Sequence, residues 1–296
     1  MDESADDPLG PTEVFSLLAN EKRFEIIATI AEAPYDEFGG TLSFSELWRR
    51  TEIDDSGQFN YHLEKLVGPF VRQTDEGYKL RHAGQMLYRI AVSELLTGRG
   101  EVGPIEVDGE CNECGGGLVG RYEDEVFLVE CRECGTLATG GEFPRSAASL
   151  YEPERLPVVF DRYLRSVLYR ATDEVCHWCA GPLDAETQRD ESFPAATGWT
   201  VFRHCDYCGA SVKTGLGTAA LFHPAVISFY HDHGVDALRR PTWDLDLVPE
   251  PPTVEVDDDP WRATLRLERD GETLTVEIDG AGRVRSVDRS GASRTE

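Results

Sequence analysis

The residues best placed to do chemistry are the cysteines. All eight fall into Cys-x-x-Cys pairs: Cys111 with Cys114, Cys131 with Cys134, Cys176 with Cys179, and Cys205 with Cys208. The first two pairs give C-x2-C-x16-C-x2-C, and the last two repeat the form with a 25-residue spacer, lengthened near Asp184 to Pro194. These spacings suit zinc. A Cys-x-x-Cys turn lets two thiolates reach one ion, and Gly135 and Gly209 allow the tight backbone that points amides at sulfur. Four thiolates complete a tetrahedron around Zn(II) and leave no open position, so two structural zinc ions per chain are expected from the two sets. A redox Cys-x-x-Cys would stand alone at the start of a helix. Iron-sulfur ligation by the same four-cysteine sets is the other alternative. His177 and His204 adjoin cysteines, yet neither is needed to complete a site.

A second constellation lies in Asp55 to Val67. If Asp55 caps a helix whose Phe59, Leu63, Leu66 and Val67 face inward, then Gly57, Gln58, Tyr61, Glu64 and Lys65 turn outward, with Asn60 and His62 on the flanks. Gln and Asn can read adenine edges, while Tyr and Lys can reach phosphate or a thymine methyl. From Gln58 to Val92 there are five bases, Lys65, Arg72, Lys79, Arg81 and Arg89, against three acids, Glu64, Asp75 and Glu76. That local excess of +2 stands out in a chain of net charge −26. The candidate DNA contacts are Gln58, Asn60, Tyr61, Lys65, Arg72, Lys79 and Arg81. No nucleophile is paired with a histidine and no phosphate-binding glycine loop occurs, so an enzyme is not expected.

The elements that must position these residues are legible from capping and periodicity. Val14, Leu17 and Leu18 form one apolar stripe; after Asn20, a cap, Phe24, Ile27, Ala28 and Ala31 recur at helical spacing. Pro34, Gly39 and Gly40 mark a loop. Ser43 and Glu46 form a capping box for a helix with Phe44, Leu47 and Trp48 on one face. Thr51 to Asp54 then connects tightly to the next helix, which makes a helix-turn-helix. Phe70 to Gln73 and Tyr78 to Arg81 read as a hairpin, followed by a helix bearing Met86, Leu87, Ile90, Ala91 and Leu95.

The run Leu18-Ala-Asn-Glu-Lys-Arg-Phe-Glu-Ile-Ile27, then Ser43-Phe-Ser-Glu-Leu47, then Gln58-Phe-Asn-Tyr-His-Leu-Glu-Lys-Leu66, resembles the ArsR-type winged helix-turn-helix regulators, especially those of halophilic archaea. The resemblance covers about 90 residues and implies a homodimer joined through helices near 14–18 and 86–96 on a pseudo-palindromic duplex operator. Many members of that family sense metal through cysteines on the recognition or terminal helices. This chain has no cysteine before Cys111, which leaves that mode without ligands.

Downstream, 104–172 and 173–240 read as two copies of one zinc-ribbon-plus-helix unit. Each has a Cys-x-x-Cys, an apolar strand (Val126 to Val129; Thr200 to Phe202), a second Cys-x-x-Cys-Gly and a helix near a proline. Pro157, Val159, Phe160 and Tyr163 match Pro224, Val226, Ile227 and Tyr230 at a constant offset of 67. Between Pro241 and Trp261 stand seven acids and no base, an acidic linker by composition. Thr264 to Glu268, Thr273 to Ile278 and Arg283 to Val287 read as a three-stranded β meander over 262–290.

The expected architecture is therefore α+β. It comprises a disordered acidic terminus (1–10), a winged helix-turn-helix (11–98), two zinc units, a linker (241–261) and the meander. With 40% hydrophobic residues there is material for several cores. Met1 to Gly10 has neither a basic nor an apolar leader region and no run of eighteen apolar residues occurs, so a cytoplasmic protein without membrane or disulfides is expected. The four lysines, Lys22, Lys65, Lys79 and Lys213, against 25 arginines, and the acid excess, resemble proteins of salt-accumulating archaea. In molar salt the Debye length is roughly 3 Å, so net acidity does not exclude DNA. The function expected is a DNA-binding transcriptional regulator whose zinc-bearing half serves an effector or partner. The alternatives are an interaction adaptor of the transcription apparatus that reads no sequence, and a thiol redox sensor.

Overall fold

A computed structural model describes residues 10–34, 40–95, 97–98, 100–190, 198–248 and 253–291. The acidic terminus before Gly10, Gly39 of the expected loop, Leu96 of the expected dimer helix and residues 191–194 of the expected insertion lie outside them. The chain divides into two compact units, Met1–Gly98 and Arg99–Glu296.

The first unit is helical with one hairpin. It runs α1 Pro11–Leu18, α2 Glu21–Ala31, α3 Phe44–Arg50, α4 Ser56–Leu66, β1 Val71–Thr74, β2 Gly77–Leu80 and α5 His82–Val92. Three of the helix starts have a side-chain cap. The Asn20 side chain accepts from the Arg23 amide, Ser43 and Glu46 close a reciprocal capping box, and Asp55 accepts from the Gln58 amide. Ile26, Ile27, Ile30, Leu47, Phe59, Leu63 and Leu66 interlock as the core. Beyond the expected hairpin, the chain entering α3 joins its edge: Leu42 and Tyr78 exchange both backbone bonds, at 3.1 and 2.8 Å. Gly77 makes that approach possible, since a Cβ there would lie 2.3 Å from the Leu42 carbonyl oxygen.

The second unit begins with an antiparallel sheet, β3 Glu101–Glu110, β4 Gly117–Glu123, β5 Val126–Cys131 and β6 Leu137–Glu142, in sequence order. The helices α6 Arg145–Leu150 and α7 Leu156–Thr172 follow. The pattern then recurs as β7 Asp184–Arg189, β8 Trp199–His204, β9 Ser211–Gly215, α8 Leu216–Ala220 and α9 Pro224–Asp232. Cysteine pairs precede β4 and β7 and follow β5 and β8, so the two halves share one plan. The helix match differs from the sequence expectation. At an offset of 67, buried Phe160 falls on half-buried Ile227, whereas an offset of 69 puts buried Pro157, Phe160 and Asp161 on buried Val226, Phe229 and Tyr230. Burial follows the helix face, which the shared prolines do not mark.

The described residues of 241–261 are not an extended linker. Trp243, Leu245 and Leu247 are buried, at 2% exposure or less, and alternate with Asp244 and Asp246. The period of two sends the apolar residues inward, while Asp244 pairs with Arg240 at 2.6 Å and Asp246 accepts from the Tyr230 hydroxyl at 2.7 Å. The Trp243 indole donates to the Asp108 carbonyl of β3 at 3.1 Å. Thr253–Asp258 then forms β10, so the C-terminal sheet has four strands rather than three, with β11 Trp261–Arg269, β12 Glu272–Asp279 and β13 Val284–Gly291. That sheet is no separate domain. Its Ala263, Leu265, Leu274, Val276 and Ile278 share one core with Val201, Leu216, Val226 and Phe229 of the second cysteine unit.

A buried ion pair ties α7 to this segment. Arg165 Nε donates to Asp161 Oδ2 at 2.8 Å and Arg165 Nη1 to the Ala237 carbonyl at 2.7 Å, while Asp161 Oδ1 accepts from the Thr242 amide at 2.8 Å. Among the described residues no helix is long and apolar enough to cross a membrane.

Removing one partner of a buried, hydrogen-bonded pair strands the other, at a cost of about 3–5 kcal/mol. Asp161→Ala should therefore destabilise the second unit by about that amount and leave the first untouched. Denaturant titration read by amide exchange in both units checks this; equal losses in both, or none, would refute it.

Candidate metal centres and the exposed face of α4

The eight cysteines gather into two clusters, Cys111, Cys114, Cys131 and Cys134, and Cys176, Cys179, Cys205 and Cys208, in the groups that the spacing gives. In each the inner cysteine of a pair is buried and the outer exposed. The turns that present them are alike: the Gly115, Gly135, Ala180 and Gly209 amides return to the carbonyls of Cys111, Cys131, Cys176 and Cys205 at 2.8–3.0 Å. Gly115, Gly135 and Gly209 have φ of 75°, 75° and 78°, the left-handed conformation that the reversal needs. Ala180 adopts it at 58° without being glycine.

Cross-pair sulfurs lie 3.5 to 3.7 Å apart. A disulfide would bring them to about 2.05 Å. A tetrahedron of sulfur around an ion at about 2.3 Å has edges of about 3.8 Å. The clusters therefore fit a four-coordinate ion and could each hold one.

Electrostatics point the same way. Hydrogen bonds from the Thr136 hydroxyl and amide bring the Cys134 thiol down to about 6. Cys114 receives the Gly116 amide, yet the sulfurs of Cys134, Cys131 and Cys111 push it up to about 12. In the second cluster burial raises Cys176, but the Cys179 and Trp178 amides outweigh it and bring the thiol to about 7. Cys208 receives the Ala210 amide, but burial and its three sulfur neighbours push it up to about 12. The first thiolate in each cluster opposes the rest, and a central cation removes that opposition.

His177 and His204 stand outside both clusters. His204 instead gathers with Asp184 and Asp206 beside the second, their ligand-type atoms all within 4.8 Å of one another. Sequence reasoning passed over this trio because β7 and β8 bring it together only through strand register.

The other expected site residues all lie in the first unit. On α4, Gln58, Tyr61 and Lys65 are exposed and Asn60 is half-buried. Gln58 Oε1 accepts from Lys22 Nζ, Asn60 Nδ2 donates to Glu64 Oε1 at 2.8 Å, and Lys65 Nζ lies 5.9 Å from the Tyr61 ring centre. On the hairpin, Arg72 faces Lys79 across the strands, and with Arg81 they line an open cleft of about 760 Å³ beside Gly68 and Pro69. His82 also lines it and was not among the expected contacts; Lys22 was likewise missed, because its tie to Gln58 spans two helices. His62 is not on a flank. It is buried, at 8% exposure, because with Phe59, Leu63 and Leu66 it completes the inward stripe at i, i+3, i+4 and i+7. Burial, then the Arg23 and Lys22 charges, hold its imidazole below the usual histidine range.

Metal analysis of the purified chain should give two ions per chain, one per cluster, and Cys131→Ser about one. A parent stoichiometry near zero would remove the metal centres.

Residues 108–284 match the family described as Domain of unknown function (DUF7351), and residues 11–91 match Domain of unknown function (DUF7347). No curated protein and no solved structure matches the chain. The longer match spans more than half of the sequence and contains all eight cysteines, and on it the chain belongs to the DUF7351 family.

Proposed function

We propose that the chain is a cytoplasmic, sequence-specific regulator of transcription, whose first unit is a winged helix-turn-helix that binds duplex DNA. In this reading α3 and α4 are the helix-turn-helix, α4 enters the major groove, and β1 and β2 are the wing. The observation that carries it is the outward face of α4. Gln58, Tyr61 and Lys65 leave the core together, and a cleft lined by Arg72, Lys79, Arg81 and His82 lies beside the adjoining hairpin. Side chains that hydrogen-bond base edges on a helix, flanked by guanidinium and ammonium groups for phosphate, are what groove reading needs. Lys22 orients the Gln58 amide, and Glu64 occupies the Asn60 amide until a base edge competes for it.

The same reading assigns zinc to both sulfur clusters. An all-thiolate, tetrahedral set suits Zn(II) and leaves no position for substrate, so the ions shape the second unit and catalyse nothing. Phe15 on α1, 71% exposed, and Met86 and Val92 on α5 offer apolar surface for a homodimer through these helices, as the ArsR resemblance implies. The acid-rich remainder fits work in concentrated salt, where only cations in direct contact with phosphate count.

Duplexes selected from a random pool supply the probe. Replacing Tyr61, Lys65 and Arg72 together by alanine should abolish binding, and Asn60→Ala should relax base preference by about 1–3 kcal/mol at one position. Glu64→Gln, which removes the one carboxylate on that face of α4, should tighten binding to all duplexes. Unchanged binding by the triple variant would show that α4 is no recognition helix, refute the reading and leave an adaptor of the transcription apparatus that reads no sequence.

A further inference from the structure

The two four-cysteine units share one plan, but their tips differ. In the first, the residues before the outer cysteines are Glu113 and Glu133; in the second they are Trp178 and Tyr207. Trp178 is 65% and Tyr207 87% exposed. Such rings commonly bury about 150–250 Å² each, so rigid turns holding two of them in water leave that burial unrealised in the fold. Both turns close on one sulfur cluster, with Cys179 and Cys205 Sγ 3.6 Å apart, so the rings flank a single tip.

The charges around that tip select the occupant. Asp184 faces His204 across β7 and β8, and Asp206 Oδ1 lies 3.2 Å from His204 Nε2. Apart from that histidine, neither carboxylate has an ion-pair partner among the described residues. On the Trp178 side, a small cleft of about 130 Å³ is lined by Tyr163, Arg170 and His177, and Arg170 Nη1 is committed to the His177 carbonyl at 3.0 Å. A phosphate backbone would meet these two carboxylates in a chain of net charge −26. A cationic side chain would meet those carboxylates and an aromatic face together, the arrangement that favours cation–π contact.

We propose that the tip of the second four-cysteine unit is a docking site for a lysine- or arginine-rich segment of a partner protein. A cationic side chain sits against the Tyr207 ring and the Asp184 and Asp206 carboxylates, and the Trp178 ring packs on the segment's aliphatic stems. This site belongs to the second unit, and the proposal does not rest on DNA reading by the first.

The test uses the full, metal-loaded chain and a labelled peptide of alternating arginine and glycine, with binding followed by anisotropy. Emission of Trp178, the one exposed tryptophan of five, reports contact. The peptide should change that emission, and Trp178→Ala should remove the change. Tyr207→Ala, and separately Asp184→Asn with Asp206→Asn, should weaken binding about tenfold. Glu101→Gln with Glu123→Gln removes the same charge from exposed residues of the first sheet and should change it less than about twofold. Metal content is measured throughout; if Asp206→Asn loses the ion, Asp184→Asn alone decides. Equal weakening by both neutralised pairs, silent Trp178 emission, or a single-stranded oligonucleotide or second copy of the chain taking the peptide's place would overturn the proposal.

Discussion

Four thiolates within a few ångströms of one another cannot all be ionised unless a cation stands among them, and the second unit brings four cysteines together in this way twice. Strands β5 and β8 run directly into the second cysteine pair of each cluster, and β4 and β7 leave the first. The sulfurs also belong to the apolar interior. Cys111 and Cys131 pack with Phe127, Phe143 and Phe160, and the small cluster beneath the second site consists of Ala171, Cys176, Leu183 and Cys205. That apolar cluster is small, so an ion held by the four sulfurs would supply cohesion there that local apolar burial does not.

The rest of the second unit is stitched to these centres by polar groups that the interior satisfies. Asp161 and Arg165 reach from α7 to Ala237, Arg240 and Thr242, and Tyr230 takes up Asp246 while accepting from the Leu247 amide at 3.2 Å. Desolvation first, and then the Asp246 charge, push the Tyr230 hydroxyl far above its ordinary range, which keeps it a donor at every working pH. Through these contacts the acidic stretch after Pro241 becomes a strap across the unit, and the C-terminal sheet completes its core.

What the sequence revealed follows from how local each cause is. Caps at Asn20, Ser43 and Asp55 and the two cysteine sets depend on spacings of a few residues, and each lies where its spacing places it. The failures involve partners far along the chain, or a local period that composition or a narrow helical wheel hid. Seven acids concealed the alternation of Trp243, Leu245 and Leu247, because composition averages over a period of two. Val254 and Val256 are a strand only because β11 offers them an edge. His62 looked marginal on a helical wheel drawn around Phe59 and Leu63, and Asp184 met His204 only once the register of β7 and β8 was set. Of the proposed contacts, Arg72, Lys79 and Arg81 are drawn together by the hairpin register, while those on α4 follow from helical geometry alone.

The second unit's order should depend on metal, and the first unit's on an apolar core without cysteine. Hydrogen exchange of the full chain before and after a strong thiol-compatible chelator tests that division most directly. Protection should collapse in the strands around both clusters, Gly117–Cys131 and Asp184–Gly215, while α2 and α4 keep theirs. Protection that survives chelation throughout the second unit, or is lost first in α2 and α4, would contradict it.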